Sequence, residues 1–249
     1  MRALDGVIIV VCAVEGIMPQ TETVIRQALK EKVKPVLFIN KVDRLIAELQ
    51  VTPEDMMQRF GKIITEVNKL IVRMVPEEFK KEWMVDAQAG TVAFGSAYHN
   101  WATSLPFMAK KNVNFKQIYE FMEKEQRREL AQAAPLHEVL LDMIVEKLPS
   151  ADAAQKYRIP HIWRGESEED IGQAMVNANA NGDSAFMVTK VVLDPHAGEI
   201  AVGRLFSGTI KKGDQMYVAG MPNANRVQSV GMFVGCLLYT SPSPRDRLS

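Results

Sequence analysis

The sequence is poor in cysteine and has no long apolar run. Its 249 residues include only Cys12 and Cys236, which are too few and too far apart for a zinc-binding spacing or a disulfide framework. We therefore expect a reducing, cytoplasmic setting and no metal site. The longest apolar run, Val7–Val14, is far too short to span a bilayer, and acidic rather than basic residues flank it. No membrane span or secretory signal is predicted.

An excess of charge of either sign is also lacking. Lys plus Arg and Asp plus Glu both number 30, so total charge favours neither nucleic acid nor a membrane as partner. A local basic patch remains compatible with RNA binding. Hydrophobic residues make up 47% and charged residues 24%, a composition typical of one large or two smaller globular domains.

The first part of the chain, 1–148, alternates between strand and helix patterns. Val7–Val14 and Pro35–Asn40 are apolar runs without alternation, which predicts parallel strands buried on both faces. Between them, Thr21–Lys32 has helical spacing. A capped helix is predicted from Pro53 onward, and a third strand at Thr91–Ala97. These patterns predict an α/β fold, a doubly wound parallel sheet.

The second part of the chain has a different character. Residues 149–163 lack a sustained period and contain two prolines, which predicts a linker. Residues 164–235 contain strand patterns separated by turn signals about every ten residues, which predicts a partial antiparallel β-barrel. Residues 236–249, rich in Ser, Pro and Arg, interrupt that pattern, and we expect them to be a non-native tail.

Polar side chains follow two of the predicted strands of the first part. Asn40, Lys41 and Asp43 come directly after one strand, and Ser96 and Ala97 end the later one. Ligands of open α/β sheets bind outside the carboxyl ends of the strands. These five residues therefore predict a ligand site.

The chemistry of this set suits guanine. The carboxylate of Asp43 can accept from the adjacent N1–H and 2-amino donors of guanine, a pair that adenine lacks, and charge-assisted bidentate bonds are strong. Leaving such a group unpaired costs roughly 1–3 kcal/mol, which sets the scale of discrimination. Asn40 is expected to bridge toward the other polar edge of the base and to brace the loop. The stem of Lys41 is expected to lie over the ring, the Ala97 N–H to donate to O6, and Ser96 to order the turn.

These motifs resemble the G domain of translational GTPases, which pairs Asn-Lys-x-Asp with a later Ser-Ala. Met1–Leu29 is similar to the segment after the second switch region in the elongation factor 2/elongation factor G group. Val92–Ala102 and Ala185–Asp214 are similar to archaeal members of that group. The resemblance runs to about Gly235. Tyr98 departs from the Lys or Leu that many GTPases place after Ser-Ala.

The resemblance implies GTP hydrolysis that drives ribosomal translocation, with the ribosome and GTP or GDP as partners and a monomer in the cytoplasm. The sequence has no G-x-x-x-x-G-K-[ST] loop to hold phosphates. We therefore expect no catalytic residue in this chain, an internal fragment of a longer protein. Mg²⁺ is expected only with the N-terminal part, and GTP binding by the isolated chain is expected to be weak.

The resemblance also implies contacts between the second domain and ribosomal RNA. The basic candidates are Arg204, Lys211, Lys212 and Arg226. Two alternatives stay open. The first is another translational GTPase, such as a ribosome-protection protein or a bacterial-type factor G. The second is a non-catalytic module that binds a guanine nucleotide or RNA.

Overall fold

The computed structural model divides into two compact units, Met1–Ile162 and Trp163–Ser249. The described residues are 1–111, 115–124, 126–165, 169–194, 198–234 and 237–240. Cys236 and most of the predicted tail lie outside this part of the chain. Each unit is described separately below.

The first unit is built on a four-stranded sheet. Its strands are β1 (Gly6–Cys12), β2 (Lys34–Asn40), β3 (Val92–Ser96) and β4 (Trp101–Thr103), in the order β1-β2-β3-β4. The first three are parallel, and β4 is antiparallel to β3. The α/β class with a parallel sheet is thus confirmed. The carboxyl ends of β2 and β3 lie at the same edge.

Helices surround the sheet of the first unit. They are α1 (Pro19–Lys30), α2 (Val42–Ala47), α3 (Pro53–Met74), α4 (Glu77–Trp83), α5 (Leu105–Lys111), α6 (Phe115–Glu123), α7 (Arg127–Ala133), α8 (Leu136–Lys147) and α9 (Ala151–Ile162). Over the described residues, no helix has both the length and the apolar character needed to cross a membrane.

Local signals explain the longest helix, α3. The Oγ1 of Thr52 accepts a hydrogen bond from the Asp55 N–H at 3.2 Å, and Pro53 occupies the first turn, where its missing N–H costs nothing. Phe60 and Ile71 lie on the face that packs into the core. The capped helix predicted from Pro53 is confirmed.

The central strand and the edge strand differ in burial. In β2, Val36, Leu37 and Ile39 are fully buried, as predicted for a strand covered on both faces. In β1 the prediction was wrong in part, because Val10 is 53% exposed. β1 lies at one end of the strand order, so its burial depends on what covers that end and not on its own apolar character.

The segment predicted as a linker is largely helical. Residues 151–162 form α9, which belongs to the first unit, and the division into units falls after Ile162. Arg158 is 1% exposed and donates to the Asp5 carboxylate at 3.2 Å and to the backbone carbonyls of Arg2 and Glu31. These bonds fasten α9 to the start of the chain and correct the linker prediction.

The second unit consists of one helix and paired strands in its described part. The elements are α10 (Asp170–Val176), β5 (Ala185–Asp194), β6 (Gly198–Ser207), β7 (Gln215–Tyr217), β8 (Ala224–Arg226), β9 (Gly231–Val234) and β10 (Leu237–Thr240). The antiparallel pairs are β5–β6, β7–β8 and β9–β10. These described strands form separate two-stranded sheets, so the predicted barrel is not confirmed. Pro195, in the predicted turn between β5 and β6, lies outside the described residues.

Candidate functional site

The two strand ends predicted to carry a site are adjacent. β2 and β3 pair in parallel with Ile39 opposite Phe94, so both strands finish at the same edge of the sheet. Asn40 is the last residue of β2 and Ser96 the last of β3, and Ala97 follows at once. The fold brings these predicted residues together from positions more than fifty apart in sequence.

Asn40 joins the two strand ends. Its Oδ1 accepts a hydrogen bond from the Lys41 N–H at 2.8 Å and another from the Ala97 N–H at 2.9 Å. These two bonds tie the end of β2 to the turn after β3. The donor predicted to serve guanine O6 is a different matter, because the Ala97 N–H is already bonded to Asn40. In this conformation that donor is therefore occupied, and its predicted role toward the base stays a prediction.

Lys41 turns the chain sharply between β2 and α2. Its backbone has φ 64° and ψ 33°, in the left-handed region that costs roughly 1–2 kcal/mol for a residue with a Cβ. The turn leaves Lys41 exposed and directs Val42 into the core, where it is fully buried. Asp43 is thereby placed in the first turn of α2, beside the end of β3.

Asp43 has an incompletely satisfied carboxylate. Its side chain is 15% exposed, and Oδ2 lies 3.6 Å from Nε2 of His99. The other oxygen, Oδ1, is buried and has no hydrogen-bond partner among the described residues. A buried carboxylate oxygen without a donor is costly, since charged groups lose more than the 1–3 kcal/mol typical of neutral ones. A ligand with adjacent N–H donors would meet this demand once the groups covering Oδ1 move.

His99 belongs to the site although the sequence patterns did not select it. Its backbone N–H donates to Oγ of Ser96 at 3.3 Å, which closes the turn after β3 and turns the imidazole toward Asp43. This agrees with the turn-ordering role predicted for Ser96. The signal available in the sequence was position: His99 follows Ala97 by two residues at the same strand end.

The neighbouring cation, Arg44, is engaged elsewhere. Its Nε donates to the Glu48 carboxylate at 2.8 Å, one helical turn later. This hydrogen bond is the main cause that raises the pKa of Arg44 above its usual value. Arg44 is therefore paired with Glu48, and the polar side chain seen beside Asp43 is the imidazole of His99.

The basic residues of the second unit divide into two places. Lys211 and Lys212 lie in the turn before β7, and Arg226 ends β8, which pairs with β7 so that Gln215 faces Arg226. All three are exposed. Arg204 lies on β6 in a different sheet, with its guanidinium 4.9 Å from the ring centre of Phe206. The structure thus groups three of the four candidates.

In the described part of the chain, no group of three or more His, Cys, Asp or Glu side chains has a metal-binding arrangement. At the strand ends, only Asp43 and His99 of these types are in mutual contact. The ionisable contact that the structure shows at this site is therefore one carboxylate beside one imidazole.

Comparisons with known proteins identify the family of the chain. The model of the elongation factor Tu GTP binding domain matches residues 1–150, and the chain belongs to that family. The resemblance seen in the sequence is thereby confirmed.

Individual curated relatives are named more specifically than the family. Elongation factor 2 of Methanococcus vannielii is 58% identical over 243 residues, which are 98% of this chain and 33% of that protein. Elongation factor 2 of Picrophilus torridus is 60% identical over 235 residues, 94% of this chain and 32% of that protein. The chain spans about a third of the length of these relatives.

Proposed function

We propose that the strand-end site binds the guanine base of GTP or GDP. The observation that supports this most directly is the buried, unpartnered Oδ1 of Asp43, with Oδ2 of the same carboxylate beside it. Guanine offers two adjacent N–H donors to such a carboxylate, and adenine does not. Binding would convert a costly buried oxygen into a charge-assisted hydrogen bond.

The other predicted residues act around that contact. Asn40 keeps the two strand ends in register through its two backbone bonds, and Ser96 holds the following turn. The exposed stem of Lys41 is free to cover one face of the base. Recognition of O6 by Ala97 would require its N–H to leave Asn40 or to be shared with the ligand.

We further propose that the longer protein to which this chain corresponds is a translational GTPase. The family match to a GTP-binding domain and relatives named elongation factor 2 support this. GTP hydrolysis would then promote translocation on the ribosome, in the cytoplasm and as a monomer. Phosphate and Mg²⁺ binding would fall to residues other than those of the strand-end site, which concerns the base alone.

The second unit is proposed to be part of a β-barrel that reaches ribosomal RNA in that longer protein. Its antiparallel pairs β5–β6 and β7–β8 are consistent with barrel strands. The exposed cluster of Lys211, Lys212 and Arg226 is the more favourable contact for phosphates. Arg204, half-buried against Phe206, is the weaker candidate.

The base-binding proposal is tested by a change of base preference. Asp43→Asn replaces two acceptors with one acceptor and one donor, so xanthine, which has an oxygen at position 2, should replace guanine as the preferred base. Removing one hydrogen bond to a charged group is expected to weaken guanosine binding by roughly tenfold or more. Saturation-transfer NMR with guanosine, xanthosine and adenosine on the 249-residue chain measures this.

A matched control is Asp142→Asn, on α8, which removes an exposed carboxylate paired with Lys110. That variant should bind like the unmodified chain. If Asp43→Asn kept the original preference for guanosine, Asp43 would not be the base reader. If the unmodified chain bound guanosine and adenosine equally, the site would have no guanine specificity.

A further inference from the structure

His99 and Asp43 form a half-buried pair at the strand ends. Nε2 of His99 lies 3.6 Å from Oδ2 of Asp43, and each side chain is 15% exposed. This separation is about 0.4 Å beyond the range of a hydrogen bond, so a small rotation of either side chain would close it. The contact joins residues from two different strand ends and depends on both turns being formed.

The turn after β3 restricts the position of the His99 imidazole. The His99 N–H donates to Ser96 Oγ at 3.3 Å, and the Asn100 N–H donates to the Ala97 carbonyl at 3.3 Å. The ring of Tyr98 meets the imidazole at an angle of 77°, with ring centres 4.8 Å apart. Backbone bonds on one side and an aromatic ring on another thus restrict the orientations open to His99.

We propose that His99 is a positioning residue that sets the plane of the Asp43 carboxylate for base recognition. In the tautomer that carries a proton on Nε2, His99 donates toward Oδ2 and leaves Oδ1 for a donor of the base. A carboxylate accepts about four hydrogen bonds in all, so Oδ2 can serve His99 and the ligand together. The inference rests on the proposed binding of guanine at Asp43.

The orientation of the Asp43 carboxylate should affect the preference for guanosine over inosine. Two parallel N–H···O bonds to guanine require the carboxylate plane to coincide with the plane of the base. Inosine lacks the 2-amino group and needs only one of these bonds. A carboxylate that has lost its orientation therefore loses more affinity for guanosine than for inosine.

The experiment compares His99→Ala and His99→Gln with the unmodified 249-residue chain, using guanosine and inosine in saturation-transfer NMR. His99→Ala should weaken guanosine binding roughly fivefold, since the Asp43 carboxylate loses the group proposed to orient it, and should reduce the guanosine-to-inosine preference by a similar factor. His99→Gln offers an N–H donor of similar reach and should restore most of that preference.

The control is His137→Ala, an exposed histidine on α8, which should leave both quantities unchanged. Backbone amide spectra of each variant report whether it is folded. An unchanged guanosine-to-inosine preference in folded His99→Ala, or no rescue by His99→Gln, would overturn the positioning role while guanine binding still stood. Absence of any guanosine preference in the unmodified chain would instead overturn the proposed function itself.

Discussion

Both units pair strands through backbone hydrogen bonds, mostly parallel in the first and antiparallel in the second, but they differ in what covers those strands. In the first unit, helices pack on the sheet, and residues such as Val36, Leu37 and Ile39 are fully buried. In the described part of the second unit, buried apolar side chains are Ala174, Met175 and Phe206. A strand ladder therefore forms in both units, and a core forms around only one of them in the described chain.

The difference teaches that hydrogen-bonded pairing and hydrophobic stabilisation are separable. β5 and β6 are each ten residues long and share nine Cα partner pairs, yet Leu193 on β5 is 76% exposed. An isolated two-stranded hairpin is marginally stable in water, because it has no apolar face to bury. We expect the first unit to hold most of the free energy of unfolding of this chain.

The largest effect is expected from emptying the core of the first unit. Phe60 is 2% exposed and packs against Phe94, with ring centres 4.8 Å apart. Phe60→Ala should lower the free energy of unfolding by roughly 3–5 kcal/mol, whereas Leu193→Ala in the second unit should change it by less than about 0.5 kcal/mol. Urea titration followed by circular dichroism measures both. Equal losses would mean that the second unit has a core of its own.

A smaller effect should follow from releasing α9. Arg158→Met removes the donors to Asp5 and to three backbone carbonyls, and we expect it to lower the free energy of unfolding by about 3 kcal/mol. Lys156→Met, an exposed position on the same helix, is the control and should be nearly neutral. If both variants were neutral in the same titration, α9 would behave as the linker that the sequence predicted.

The smallest effect concerns pH. Burial against Phe79 and Trp83 raises the pKa of Tyr157 to about 12, from 10 in an unfolded chain. The unfolded form therefore loses its proton first, so this contribution to stability is complete below pH 10 and is lost as pH rises toward 12. Relative to Tyr157→Phe, the unmodified chain should lose on the order of 1 kcal/mol over that interval.

Urea titrations of both proteins between pH 8 and about pH 12 test this, because other alkaline transitions are common to the two. Near pH 7 the Tyr157→Phe variant should be slightly the more stable of the two, since it removes a buried hydroxyl that has no hydrogen-bond partner in the described chain. If the two stability curves ran parallel over the whole pH range, Tyr157 would not be buried in the first unit. α9, which carries Tyr157, would then not pack against the rest of that unit.

Much of the first unit could be predicted because its signals are local. The cap at Thr52, the proline at the start of α3 and the apolar run of β2 each follow from neighbours in sequence. α9 could not be predicted in this way. Its buried face includes Gln155 and Arg158, the latter bonded to Asp5, Arg2 and Glu31 more than a hundred residues away, and it contains Pro160.

The same contrast applies to the site. Asn40, Asp43 and Ser96 were predicted because strand ends are readable from the sequence. The bond from the Ala97 N–H to Asn40, and the approach of His99 to Asp43, join turns that are more than fifty residues apart. Such contacts depend on the register between β2 and β3, which local patterns do not determine.

The left-handed backbone of Lys41 implies a trade-off at a single position. Glycine adopts that conformation without the steric penalty of a Cβ, so Lys41→Gly should relieve strain, although it adds freedom to the unfolded chain. The same change removes the side chain proposed to cover the base. Under the proposed function, thermal stability and nucleotide binding would therefore favour different residues at this turn: glycine for the backbone and lysine for the ligand.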